Sequence, residues 1–374
     1  MTEQDTISAE YEYLLHLLRS AVHGTVPENI PDEASWEKVL AYATTHEVAN
    51  IAFLAVKKLK NPPEETIFQL WYEQYLRAVK RDVLQQKARK EILEALHSQG
   101  IYTLELQGTV VKRYYPQSHM RMMSDLDFII PIEKLHEGEE TLRSLGFETK
   151  VVERIEIHGS KGGIIVELHT EFFGRDSITK TVLQHPYDYA VCGENYTAAV
   201  DDTVFYLFHL LHTIKHCGLL GSGLRRILDL YYLETAMEDK VDHGYIDGVL
   251  KEYGFYETKQ QLLAVKDHWF NGITPEIDVT ELEPDILESG NHGMRQHYYR
   301  NVLSRERAAG KHFVKLRFLL EFFFPSKEAL YCAHPAFERN HLPLLVCWIA
   351  RAALVVYPSR RERMKKVVRN VRKN

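Results

Sequence analysis

Asp125 and Asp127, two residues apart in the stretch MRMMSDLDFIIP (120–131), are the side chains in this sequence best suited to chemistry. Read as a strand over 125–130, the stretch points both aspartates to one face and Leu126 and Phe128 to the other. Pro131 ends the strand. Two carboxylates side by side repel each other. A cation between them removes the repulsion, and hard oxygen ligands suit Mg2+. The same spacing fits a strand end with two solvated acids. A third acid follows in IIVELH (164–169), a buried-strand pattern that begins after Gly162-Gly163 and carries Glu167. Three carboxylates from two neighbouring strands can hold two metal ions, and two-metal sites serve in-line displacement at phosphorus.

The flanking residues fit that chemistry. An apolar stretch over 101–106 reads as a strand. Gln107-Gly108-Thr109 follows at once, and an apolar helical segment runs over 110–115. A strand, a glycine turn and a helix start direct backbone N–H groups and the helix dipole at an anion. Arg121, just before the Asp-x-Asp strand, fits either a phosphate contact or a surface ion pair. His169 shares a strand face with Glu167 and Glu171. It fits a structural residue, a holder of Glu167 or a ligand contact.

Taken in order, these residues resemble the uncharacterised nucleotidyltransferase family of the DNA polymerase β superfamily. The likeness is carried by QGT (107–109), RMMSDLD (121–127) and VELH (166–169). LRFLLEFFFPSKEAL (316–330) and LPLLVCWIAR (342–351) extend it toward the C-terminus. The resemblance implies an enzyme that transfers a nucleoside monophosphate from an NTP to an acceptor, with two Mg2+ ions. It implies Asp125, Asp127 and Glu167 as catalytic residues and metal ligands, and Gly108, Thr109, Arg121 and Ser124 as nucleotide-binding residues. Gln107 stands where the family commonly has Lys, and Thr109 where Gly or Ser is usual. That altered turn favours the alternative of a non-catalytic nucleotide-binding or scaffolding protein; the complete acid triad opposes it.

The elements that must position this set read as follows. Residues 1–97 form an N-terminal helical region, with helices over 11–22, 36–59 and 64–97 and a breaker at Asn61-Pro62-Pro63. Residues 98–175 are the α/β core, in which a helix over 132–145 leads into a strand over 147–157. Residues 176–374 read as a C-terminal helical domain with a basic tail, including helices over 203–216 and 224–234 and a connection over 271–294. Arg225 and Asp229 fall at i and i+4 and can pair. His209, His212 and His216 fall at i, i+3 and i+7, so they share one helix face. That face suits the wall of a cleft opposite the carboxylates better than a zinc site, which needs further ligands. The expected fold class is α+β: a small mixed β-sheet nucleotidyltransferase core flanked by N-terminal and C-terminal helical regions.

Bulk properties are those of a soluble globular chain. Of 374 residues, 45% are hydrophobic and 26% charged. The acidic, polar start MTEQDTISAEYE shows no secretory signal, and no apolar run of about 18 residues suits a membrane span. Four scattered cysteines, Cys192, Cys217, Cys332 and Cys347, read as reduced thiols in a cytoplasmic protein. The net charge of −6 is uneven: 359–374 holds eight Lys/Arg against Glu362 alone. Met364, Val367, Val368 and Val371 would give that tail an apolar stripe. A solvated helix packed on the domain, an anionic membrane surface and RNA all remain open as its setting.

Overall fold

The computed structural model of the chain describes residues 7–152, 154–172, 182–219, 223–290 and 343–353, with positions 324, 327 and 330. The chain divides into two compact units. The first runs to residue 293 apart from 218–220; the second holds 218–220 and 294–374. In the second unit, a helix at Leu344–Ala353 buries Cys347, and Trp348 meets Phe324 edge to face. Cys332, the basic tail at 359–374 and most of the 316–330 segment lie outside the described residues. No helix among the described residues is long and apolar enough to cross a membrane.

The first unit begins with four helices: α1 (Ala9–His23), α2 (Trp36–Thr45), α3 (Ala49–Val56) and α4 (Glu65–Ser98). Ser8 caps α1 by accepting the Tyr11 N–H, and Gly24 ends it in the left-handed region at φ 70°. The single helix expected over 36–59 is broken between α2 and α3. The cause is tertiary. Buried His46 accepts the Leu224 N–H on Nδ1 and places Nε2 2.9 Å from the Leu287 carbonyl, while Glu47 takes φ 55°. Burial lowers the His46 pKa to about 4, so the ring is neutral and its proton sits on Nε2.

After α4 the chain enters β1 (Thr103–Glu105), α5 (Gln107–Val111), β2 (Leu126–Ile129), α6 (Leu135–Ser144), β3 (Glu148–Val152), β4 (Glu156–Lys161) and β5 (Ile164–His169). The strand expected over 147–157 divides into the antiparallel arms β3 and β4. Two more strands follow in a region read from sequence as helical, β6 (Ala190–Cys192) and β7 (Thr197–Val200). Both are short, and pairing places them, β7 on β1 and β6 on β7, rather than a long apolar run. Together the strands form a mixed seven-stranded sheet in the order β3-β4-β5-β2-β1-β7-β6. The pairs β2–β5 and β1–β7 are parallel and the rest antiparallel. The α+β class expected from sequence is the fold observed.

Helices then return: α7 (Asp202–Leu219), α8 (Leu224–Met237), α9 (His243–Glu252), α10 (Tyr256–Lys266) and α11 (Leu282–Ser289). The last lies inside the stretch expected to be a connection. Its acid-rich sequence hides an inward stripe of Ile286 and Leu287.

Strand parity separates core from site. Leu126 and Phe128 of β2 and Val166 and Leu168 of β5 face an apolar layer with Ile92 and Leu96 of α4 and Leu142 of α6. The alternate residues Asp127, Glu167 and His169 face the other side. Helix α6 lies so close to the sheet that a Cβ at Gly138 would come within 2.6 Å of Ile130 Cδ1. Gly138→Val should therefore overpack this layer and cost roughly 1–3 kcal/mol, read as a lower urea midpoint. An unchanged midpoint would mean the layer has slack.

Candidate active site

The register of β2 on β5 decides the geometry. Parallel pairing sets Asp127 directly beside Glu167, and Ile129 beside His169. Asp125 stands one residue before β2 and shares a cavity of about 280 Å3 with both acids. Burial and then repulsion from Asp127 raise the Asp125 pKa. Burial also raises that of Glu167, against the pull of His158 and His169, with Asp127 and Asp125 adding repulsion. Removal from water is the larger cause of both shifts.

Partners for these acids come from a cross-strand pattern. Glu156 pairs with His169, and His158 with Glu167, between antiparallel β4 and β5. His169 Nε2 lies 3.4 Å from Asp127 Oδ1 and 3.5 Å from Glu167 Oε2; its Nδ1 lies 3.4 Å from Glu156 Oε1. Burial alone would lower the His169 pKa, but its bonds to Asp127 and Glu156 outweigh burial and raise it to about 10. The bond to His169 lowers the Glu156 pKa in turn. His158 Nε2 sits 3.4 Å from Glu156 Oε2. Neither Glu156 nor His158 was singled out from the sequence. The readable signal was the repeated Glu-x-His, at 156–158 and again at 167–169.

Helices supply the other side of the cavity. His212 and His216 of α7 line it, with their rings 4.4 Å apart, as do Arg225 and Arg226 of α8. His209, on the same helix face, is fully buried and does not line the cavity; neither ring nitrogen has a hydrogen-bond partner. Burial lowers all three histidine pKa values, to about 4 for His209 and about 3 for His216, so these rings are neutral. Among the described residues, Asp127, Glu167 and His169 are the group arranged to hold a metal ion, and the three α7 histidines are not.

The expected pairing of Arg225 with Asp229 does not form. Asp229 takes Arg121, whose Nε and Nη2 donate to Oδ1 and Oδ2 at 3.0 and 2.9 Å, and Tyr115 donates to Oδ1 at 2.7 Å. All of this is buried. Burial would raise the Asp229 pKa, but Arg121 holds it below the usual carboxylate range. Arg121 is thus neither at the surface nor free for a full phosphate clamp. Arg225 donates instead to Glu47 and to the Met122 carbonyl.

The turn residues separate. Gly108 lines the cavity, and a Cβ there would come within 2.5 Å of Arg121 Nη1 and 2.7 Å of Met123 Sδ. A side chain would close that approach. Ser124 lines the cavity and donates to Asp125 Oδ1 at 3.0 Å. Thr109 is buried and turned away, with its N–H and its hydroxyl both on the Leu106 carbonyl.

The family model described as an uncharacterised nucleotidyltransferase matches residues 32–271, a span that holds every residue of this cavity. The chain belongs to that family. A solved structure of the antibiotic-resistance factor ANT(2'')-Ia is similar at 12% identity, covering 51% of this chain and 100% of that one, with a TM-score of 0.35. No curated protein matches the sequence.

The donor chemistry of this nucleotidyltransferase fits Mg2+. Asp125, Asp127 and Glu167 present hard oxygens to one cavity, and burial raises the pKa values of Asp125 and Glu167. His169 belongs to the same group, and its hydrogen bonds to Asp127 and Glu156 raise its pKa to about 10.

The Arg121–Asp229 pair should behave as a structural bond. Asp229→Ala strands a buried guanidinium and should cost about 3–5 kcal/mol by urea denaturation. Replacing both partners together, as Arg121→Met with Asp229→Leu, should recover much of that loss. A double variant no more stable than Asp229→Ala would refute the pairing as the cause.

Proposed function

We propose that this nucleotidyltransferase catalyses Mg2+-dependent transfer of a nucleoside monophosphate from an NTP to an acceptor hydroxyl, with release of pyrophosphate. The observation that carries this reading is the pairing of Asp127 with Glu167 across β2 and β5, with Asp125 in the same cavity. Asp125, Asp127 and Glu167 would hold Mg2+, which when bound neutralises the triphosphate and polarises the reacting phosphoryl group.

The protein's own groups do the rest. Glu167 takes the proton of the acceptor hydroxyl; burial has already raised its pKa toward that of a useful base. The acceptor oxygen bonds to the α-phosphorus, and the bond from that phosphorus to the bridging oxygen breaks. Pyrophosphate leaves with that electron pair. His169, fixed between Asp127, Glu167 and Glu156, keeps the acids in their pairing geometry. Ser124 orients Asp125 through its hydroxyl. Gly108 leaves room over the turn for the Arg121 guanidinium and the Met123 side chain at the cavity wall.

One observation favours the second reading, a nucleotide-binding protein without turnover. Thr109 spends both its donors on Leu106 and offers none to a triphosphate. The two readings separate when the protein is incubated with α-labelled NTPs, Mg2+ and host extract. Transfer of the α label, but not of a γ label, to an acceptor is expected. Saturable NTP binding without transfer would leave the second reading standing.

Asp125→Asn, Asp127→Asn and Glu167→Gln should each lower the transfer rate at least roughly 10²-fold while keeping the far-UV circular dichroism spectrum of the wild type. Any of the three that turns over near the wild-type rate removes its carboxylate from the chemistry.

A further inference from the structure

The helical side of the cavity carries more positive charge than the protein itself uses. Arg121 is spent on Asp229, and Arg225 is held by Glu47 and the Met122 carbonyl. Arg226 also lines the cavity, yet it makes no ion pair among the described residues, and its Nε is buried without a hydrogen-bond partner. Arg225 Nε is likewise buried and unpartnered. Arg225 and Arg226 are adjacent in the first turn of α8, which holds no acidic residue. Two guanidinium groups at the positive end of a helix repel each other and the helix dipole. Burial and the neighbouring Arg225 lower the Arg226 pKa to about 10. A desolvated charge left unpaired is costly unless a ligand supplies the counter-charge.

We infer that Arg226, with the Nε of Arg225 beside it, forms an anion subsite that takes the β- and γ-phosphates of the NTP. The inference rests on the nucleotidyltransferase reading of the same cavity and names the residues that hold the leaving group. Three features select a polyphosphate over a single small anion. The cavity brings guanidinium groups on α8 and carboxylates on β2 and β5 to one space, so a ligand that meets both guanidinium groups and a cation held by the acids carries several negative charges. Its volume of about 280 Å3 lies at the lower edge of the roughly 300–1,000 Å3 usual for small-molecule sites, which suits a phosphate chain with sugar and base toward the mouth. The neutral rings of His212 and His216 beside Arg226 add no competing charge. The turn at 107–109 cannot take over this role as a helix terminus, because α5 is only 5 residues long.

Inorganic tripolyphosphate, titrated calorimetrically into the full chain with Mg2+ present, tests the subsite without any need for turnover. The wild type should bind it, and Arg226→Gln and Arg226→Ala should each weaken that binding roughly tenfold to hundredfold. Both variants should melt no lower than the wild type, since neither removes an ion pair within the protein. Displacement of tripolyphosphate by at least one of the four common NTPs is also expected. Equal affinity in wild type and variants overturns the assignment, as does no binding by the wild type. A lowered melting temperature in both variants would make Arg226 a structural residue and overturn it as well. Tripolyphosphate that no NTP displaces would assign the subsite to an anionic acceptor instead, again overturning the inference. If the subsite passes these tests and no NMP is transferred, the proposed reaction fails while the subsite stands.

Discussion

Repulsion among neighbouring carboxylates is the constraint on which this structure turns. Parallel pairing of β2 with β5 holds Asp127 beside Glu167, and Asp125 adds a third negative charge to the same space. Half-buried acids at such separations favour protonation unless cations stand near. The sheet answers from within. His169 reaches Asp127, Glu167 and Glu156 together, and His158 bonds Glu156 while lying 3.9 Å from Glu167. The alternation of Glu and His across β4 and β5 therefore places an imidazole between neighbouring acids. Burial nevertheless keeps the pKa values of Asp125 and Glu167 raised. Perturbed carboxylates gathered in one cavity mark a candidate functional site.

The opposite imbalance stands on α8. A fully buried Asp229 neutralises Arg121 and receives Tyr115, which fixes the segment leading into β2 against the helix. This contact joins the strand that carries the acids to the helix that carries Arg225 and Arg226. Removing one partner strands a desolvated charge, so the pair enforces a specific alignment of sheet and helix rather than merely adding stability. Gly108 completes the arrangement by leaving the Arg121 guanidinium room to cross the turn.

Much of the site could be read from residue order because strand geometry is periodic. Asp125 and Asp127 two apart, Glu167 and His169 two apart, and apolar residues between them require one polar and one apolar face. The long helix α4 and the glycine-ended helix α6 follow from pattern in the same way, whereas the α+β class rested on the family resemblance as much as on pattern. Periodicity also hinted at His212 and His216 as a cavity wall, since α7 is amphipathic.

What the sequence could not determine depends on partners distant in the chain. The break between α2 and α3 exists because His46 binds Leu287 and Leu224, residues that no local window contains. Strands β6 and β7 are too short and too little patterned to announce themselves; β7 forms by pairing onto β1, and β6 by pairing onto β7. Arg225 at i and Asp229 at i+4 looked like a helix pair. The chain instead gives Asp229 to Arg121, 108 residues away, because a buried bidentate bond outweighs a helical one. Residue types and their period determined which side chains could serve a phosphoryl-transfer site. The register of β2 on β5, and the docking of α8 against both, decided which of them meet, because burial and charge pairing act through space and not along the chain.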